Sequence, residues 1–238
     1  MELTKKQSVQ YTAKTLSGAE FTGVALREEV YDLIIDLDLY RRVLITPDNL
    51  DEFIYGTLIG SGIIKRHEDV ISSRLCDANR FFIQLDPDLA VKVKNADGIK
   101  QYAQEMAVPN FSDIIPLKVT KHYPVMEIID LAKRYESQIH FYAVNPHAEV
   151  VIHDCSGLYA IDKIIGGTPS DLIITNAHPS TEAIIRCYRG GISVAVFSGV
   201  PTSGAINFAQ KTGVTLISKD LHGSYSIYAD SRQQLVYR

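Results

Sequence analysis

Asp171-Leu172-Ile173-Ile174-Thr175, followed by Asn176-Ala177-His178-Pro179 and Ser180-Thr181-Glu182, reads as a strand, a turn and a helix start. The apolar, β-branched run suits a buried strand. Asn, His and Pro break it, and Ser180 stands where an N-cap belongs, with Glu182 in the first turn. The same pattern returns in Ser193-Val194-Ala195-Val196-Phe197, Ser198-Gly199-Val200-Pro201 and Thr202-Ser203. Repeated strand–helix units predict a parallel sheet of an α/β domain. Loops after successive parallel strands gather at one sheet edge, where such domains bind ligands. Helix starts at that edge offer unpaired N–H groups and a positive dipole end, which suit phosphate or another anion.

Outward from this stretch, Val214 to Ser218 and Tyr225 to Tyr228 read as further strands of the sheet. Upstream, Ala160 to Ile165 is helical and stops at Gly166-Gly167. A hairpin is expected from Ile139 to Val144 and Glu149 to Ile152, joined by Asn145-Pro146-His147. Val125 to Tyr135 has the apolar spacing of an amphipathic helix. Residues 117–238 therefore predict a three-layer α/β domain. Asn95, Gly98, Pro109, Asn110 and Pro116 mark residues 95–116 as a linker. Residues 1–105 predict a smaller α+β domain. In it, strands at Val30 to Tyr40 and Val43 to Ile45 flank a turn at Arg41-Arg42. A helix follows, capped by Thr46 with Pro47 in its first turn, running through Phe53 to Ile59 and stopping at Gly60-Ser61-Gly62. Phe81 to Leu85 and Leu89 to Val93 are expected strands, and the polar first twenty residues an arm or an edge strand.

The chain has 238 residues, 46% hydrophobic and 22% charged, which are globular values for one large domain or two small ones. A net charge of −4 argues against nucleic-acid binding through a basic surface. No run approaches the ~20 apolar residues of a membrane span, and Met1 to Gln7 does not resemble a signal peptide. Three scattered cysteines, Cys76, Cys155 and Cys187, make neither a disulfide framework nor a zinc cluster. A cytoplasmic protein without a membrane or nucleic-acid partner is expected.

His147-Ala148-Glu149 matches the H-x-E of zinc deaminases, but the required P-C-x-x-C partner is missing, so no metal is expected. Nearness in sequence alone does not make a Cys–His nucleophile of His153-Asp154-Cys155. Cys155, turning towards the next helix, is the remote candidate for a reactive thiol. The candidate ligand residues are Asn176, His178 and Ser180 of one loop and Thr202 and Ser203 of the next, with His222, Lys163 and Lys219 supplying charge.

Several of these segments carry a family resemblance. Thr46-Pro47-x-x-Leu50-x-Glu52, with Gly56 and Gly62-Ile63-Ile64, resembles the T-P-x-x-L-x-E…G…G-I-I segment of the formate dehydrogenase accessory sulfurtransferases. Ala160-Ile161-Asp162-Lys163-Ile164-Ile165-Gly166 resembles the second half of their G-R-H-N-A-x-D-K-x-I-G motif. Asn176 to Glu182 falls on S-G-R-x-S-x-E, Pro201-Thr202-Ser203 on A-P-T-S, and Gly213-Val214-Thr215-Leu216 on G-x-T-L. The resemblance implies a cytoplasmic homodimer with a cytidine-deaminase-like C-terminal domain that lacks zinc. It implies a cysteine desulfurase as sulfur donor and formate dehydrogenase as client. The bound ligand would be the molybdenum bis(molybdopterin guanine dinucleotide) cofactor, with Lys219-Asp220-Leu221-His222-Gly223-Ser224 as its loop. The departures are plain: the Arg of S-G-R becomes His178, and the Arg of the C-terminal loop becomes Ser224. The family's C-G-x-C-G persulfide loop falls on Phe111 to Tyr123, which contains no cysteine, and G-R-H-N becomes Ser156-Gly157-Leu158-Tyr159. The two functions left open are sulfur transfer to the cofactor, or a binding module that has lost it.

Overall fold

The computed structural model describes residues 7–77, 79–136, 138 and 140–237. An antiparallel hairpin of β1 (Ser8–Lys14) and β2 (Glu20–Leu26) stands apart as a two-stranded sheet. A four-stranded sheet follows, in the order β4-β3-β6-β5, from β3 (Glu29–Ile35), β4 (Asp38–Ile45), β5 (Val70–Cys76) and β6 (Arg80–Leu85). One face of this sheet, with Leu33, Ile35, Ile45, Phe81 and Ile83, buries Phe53, Ile54 and Leu58 of α1 (Leu50–Ser61) in a single core.

Four local expectations are corrected here. The β3–β4 turn lies at Asp36-Leu37, not at Arg41-Arg42; both residues take positive φ (47° and 76°), as a twisted two-residue hairpin requires. Arg42 is instead a strand residue, its Nε 2.6 Å from Asp32 Oδ1 on the neighbouring strand. Helix α1 begins at Leu50 behind Asn49 (φ 45°) rather than behind Thr46, which is buried and gives its carbonyl to Lys163. Leu89 to Val93 is not a strand but part of α2 (Pro87–Asn95). Asp86 caps it by accepting from the Asp88 N–H, and Pro87 fixes its first φ. The expected linker holds α3 (Ile99–Met106), whose Ile99 and Ala103 join the N-terminal core.

The second half contains β7 (Tyr123–Pro124), α4 (Val125–Tyr135), β8 (Phe141–Asn145), β9 (Val150–Asp154), α5 (Gly157–Gly166), β10 (Leu172–Thr175) and α6 (Thr181–Arg189). It ends with β11 (Val194–Phe197), α7 (Ser203–Thr212), β12 (Thr215–Lys219), β13 (Tyr225–Ala229) and β14 (Leu235–Val236). The expected hairpin is β8–β9; its first proposed residue, Ile139, lies outside the described residues. The sheet order is β13-β12-β11-β10-β8-β9, with β10, β11 and β12 parallel and the outer strands antiparallel. Strand alternation divides the core in two. Ala143, Ile173, Ala195 and Leu216 face α5, α6 and α7, whereas Val144, Ile174, Val196 and Ile217 face α4. The result is three layers: helix, sheet, three helices.

Helix α1 crosses α5 and links the two halves. The crossing is close enough that an added Cβ on Gly56 would collide with the Asp162 carbonyl, and one on Gly166 with the Glu52 carbonyl. Glycine is required at this crossing because the two backbones touch.

Candidate functional site

The strand ends of β10 and β11 do come together as the sequence pattern implies. Ser198 N–H donates to the Thr175 carbonyl (3.1 Å), and Thr202 N–H to the Pro179 carbonyl (3.2 Å). Ser218 Oγ, at the end of β12, donates to the Gly199 carbonyl. Ser180 Oγ accepts from Ala183 N–H and Thr202 Oγ1 from Ala205 N–H, each at 3.2 Å, so both hydroxyls are N-caps. His178 and Ser203 are exposed beside them. Asn176 is engaged elsewhere: its Oδ1 accepts from Tyr142 N–H (2.8 Å) and its Nδ2 donates to the His140 carbonyl (2.9 Å). It clamps the start of β8 to the end of β10.

The third loop is already filled by its own carboxylate. Asp220 Oδ1 accepts from the backbone N–H of His222 (2.8 Å) and Ser224 (2.9 Å), with Gly223 at φ 80° closing the turn. These bonds, the Ser224 amide foremost, hold the Asp220 carboxyl below its ordinary range. Leu221, His222, Gly223 and Ser224 are exposed around it. Lys219 turns to the α4 side, 3.3 Å from Glu136, with its ammonium 5.4 Å from the Tyr225 ring centroid.

Lys163 is not at this edge. Its side chain is fully buried, with Nζ 2.7 Å from both Asp48 Oδ1 and Asp154 Oδ2 and 2.9 Å from the Thr46 carbonyl. It donates hydrogen bonds to Asp48 and the Thr46 carbonyl and pairs its charge with Asp154, and because it is enclosed it cannot reach a phosphate at the loop edge. The motif neighbour Asp162 is likewise buried and held by Arg186, whose Nη1 lies 2.5 Å from its carboxylate. Sequence reading missed Arg186 and Arg189. Arg189 donates to the carbonyls of Gly60 and Met106 and so ties α6 to the N-terminal half. The only signal was the basic last turn of α6, which equally suits a helix C-terminus.

Cys155 is half-buried, and its thiol faces the Leu44 carbonyl and Asp154 Oδ1, each at 3.2 Å. Burial first, and Asp154 next, push this thiol up to about 12. Cys187 is fully buried in α6 and is pushed up to about 12 by burial. Cys76 closes β5, half-buried, in the N-terminal sheet. His147 of the H-x-E triplet meets Tyr123 Oη at 3.0 Å and Asp171 at 3.5 Å. Among the described residues, no group of three or more His, Cys, Asp or Glu is placed to hold a metal ion. Among them, no helix is long and apolar enough to cross a membrane.

A mixed α/β chain, with a helix-lined parallel core joined to a smaller sheet, is the class that this geometry defines. No family model matches it. It is 26% identical over 208 residues to the sulfur carrier protein FdhD of Methanothermobacter thermautotrophicus, covering 79% of this chain and 82% of that one. It is 21% identical over 222 residues to the sulfur carrier protein FdhD of Staphylococcus aureus strain Newman, covering 83% and 84%. The crystal structure of a proposed formate dehydrogenase accessory protein from Desulfotalea psychrophila shares the fold. Its TM-score is 0.69 at 16% identity, covering 96% of this chain and 98% of that one. The resemblance to the formate dehydrogenase accessory sulfurtransferases thus extends over about four fifths of the chain.

Proposed function

We propose that this chain serves formate dehydrogenase maturation by holding the molybdenum bis(molybdopterin guanine dinucleotide) cofactor, and that it carries no sulfur on a thiol of its own. The relatives named sulfur carriers and the structural neighbour described as a proposed formate dehydrogenase accessory protein support this pathway. The observation that carries the second half is the placement of the cysteines. A persulfide carrier needs an accessible thiolate, favoured by nearby positive charge or a helix N-terminus. Cys155 instead faces a carboxylate and a carbonyl, Cys187 is enclosed, and Cys76 lies in a strand.

On this reading the larger half is a deaminase-type sandwich without zinc, and the protein acts as a cytoplasmic homodimer. Formate dehydrogenase is its client, and a cysteine desulfurase serves the pathway without loading this chain. The cofactor lies along the edge formed by residues 176–180 and 199–203, a phosphate meeting the first turns of α6 and α7. His178 is the exposed cationic candidate there. Affinity is modest, because imidazole does not replace the bidentate grip of an arginine on phosphate.

The test has two arms. Incubation with a cysteine desulfurase and cysteine, read by mass spectrometry, is expected to leave all three cysteines unmodified. A stoichiometric persulfide on any of them would overturn the loss of sulfur transfer. Calorimetric titration with GDP is expected to show binding that weakens in His178→Ala. No binding at millimolar GDP would remove the nucleotide claim, and binding indifferent to His178 would displace the site.

A further inference from the structure

A cavity of about 500 Å³ opens between the two halves, on the flank of α6 that meets α1. Its size falls within the roughly 300–1,000 Å³ of small-molecule sites. Ala103, Val108 and Ile185 give it apolar walls, and two arginines line it from opposite halves, Arg41 of β4 and Arg186 of α6.

These arginines differ in how far they are satisfied. Among the described residues, no carboxylate comes within 4 Å of Arg41, whereas Arg186 has two. Arg41 Nη2 donates to Tyr159 Oη at 3.2 Å, and its guanidinium carbon stands 5.9 Å from the ring centroids of both Tyr40 and Tyr159. A guanidinium has five N–H donors, and with this one side-chain hydrogen bond among the described residues the positioned fork is largely open. Arg186 is 4% exposed and contacts Asp162 and Glu182 through its two Nη atoms, yet its buried Nε has no partner. Buried donors are ordinarily satisfied.

The charges limit what can enter. Asp162 and Glu182 together exceed Arg186 by one negative charge, and Arg41 restores neutrality. A ligand bearing one negative charge gains the Arg41 fork, whereas a second charge meets Glu182 with no further cation to offset it.

We infer that this cavity binds a small monocarboxylate with an apolar body. Its carboxylate is gripped by Arg41, and its body rests on Ala103, Val108 and Ile185. The cavity adjoins the loop edge through Thr181 and Glu182 of the first turn of α6, but benzoate and Arg41→Met test it apart from the GDP titration.

Benzoate and phenyl phosphate share a body and differ in charge, so titration of the full chain with each at pH 8 tests the inference. Saturable benzoate binding is expected in the wild type, weaker by about tenfold or more in Arg41→Met, the worth of one charge-assisted hydrogen bond. Phenyl phosphate, a dianion at that pH, is expected to bind less tightly than benzoate. Val108→Trp, a change at an exposed position on the cavity wall, is expected to abolish benzoate binding while leaving the circular dichroism spectrum unchanged. This variant decides the matter should Arg41→Met fail to fold. No saturable benzoate binding, equal affinity in a folded Arg41→Met, or tighter phenyl phosphate binding would overturn the inference.

Discussion

The seam between α1 and α5 and the edge formed after β10, β11 and β12 are both built from the sequence segments that resemble one family, yet they use polar groups in opposite ways. At the seam Lys163, Asp154, Asp162 and Arg186 are buried and paired within the chain, Lys163 with Asp48 and Asp154, Arg186 with Asp162 and the exposed Glu182. At the edge His178, Ser203 and His222 stay exposed, and the remaining groups cap helices or close the turn at Asp220. A lysine and an aspartate inside a motif therefore need not mark a ligand. In this chain Asp162-Lys163 holds two half-proteins together, and burial is what separates that role from binding.

The largest effect is expected from breaking the seam. Lys163→Met leaves Asp48 and Asp154 without their shared cation, and Asp154 is fully buried. Removing one partner of a buried ion pair costs about 3–5 kcal/mol, which denaturant unfolding would register as a large fall in midpoint. A loss under about 1 kcal/mol would place Lys163 among solvated lysines and undo the contrast between the two regions.

Lys163 also shows where sequence reading stops. Residue type makes it a candidate to supply charge at the ligand edge. Its partner Asp48 lies 115 residues away, a pairing that no local pattern contains. The strand–turn–helix units from Asp171 to Thr212 were legible because apolar runs, breakers and hydroxyl caps all agree locally. Leu89 to Val93 was misread because its apolar residues alternate over a short run, while the decisive signal, Asp86-Pro87, lay just outside it. The turn at Asp36-Leu37 was hidden because a leucine with positive φ is an uncommon turn residue. Asn176 was placed in the right loop, but its side chain clamps two strands, and a polar residue's type does not say which way it points.

An intermediate effect is expected from His153, which belongs to neither region. It sits on β9 directly across from Tyr142, is 3% exposed, and among the described residues neither ring nitrogen has a hydrogen-bond partner. Burial foremost, and His140 next, hold its pKa below the ordinary 6.5, while Asp48 acts in the opposite sense. The unfolded chain therefore takes up this proton at higher pH than the folded one does. The stabilising contribution is complete above about pH 6.5 and is lost as pH falls through the lowered folded value. Melting temperatures measured from pH 8 to pH 5 are expected to drop in the wild type and to change less in His153→Leu. Parallel profiles would show that another group governs acid sensitivity. Carboxyls held below 3.8, such as Asp32 and Asp69, act only at lower pH.

The smallest change in stability, and the sharpest test of the edge, is expected from Asp220→Asn. The carboxylate is exposed and accepts two backbone N–H bonds, from His222 and Ser224, in the loop that family resemblance assigns to the cofactor. A phosphate would seek the same amides, so Asp220 both occupies them and repels a second anion. Asparagine can keep the turn through its amide oxygen while removing the negative charge. The melting temperature is expected to stay close to the wild-type value, as for most surface substitutions. GDP affinity, measured by calorimetry, is expected to rise if these amides contribute to binding. An unchanged affinity would detach residues 219–224 from the candidate site and leave the starts of α6 and α7 as its whole extent. A loss of affinity would mean that Asp220 itself contacts the ligand, through a base or sugar donor rather than a phosphate, and would reverse the orientation proposed for the nucleotide along the edge.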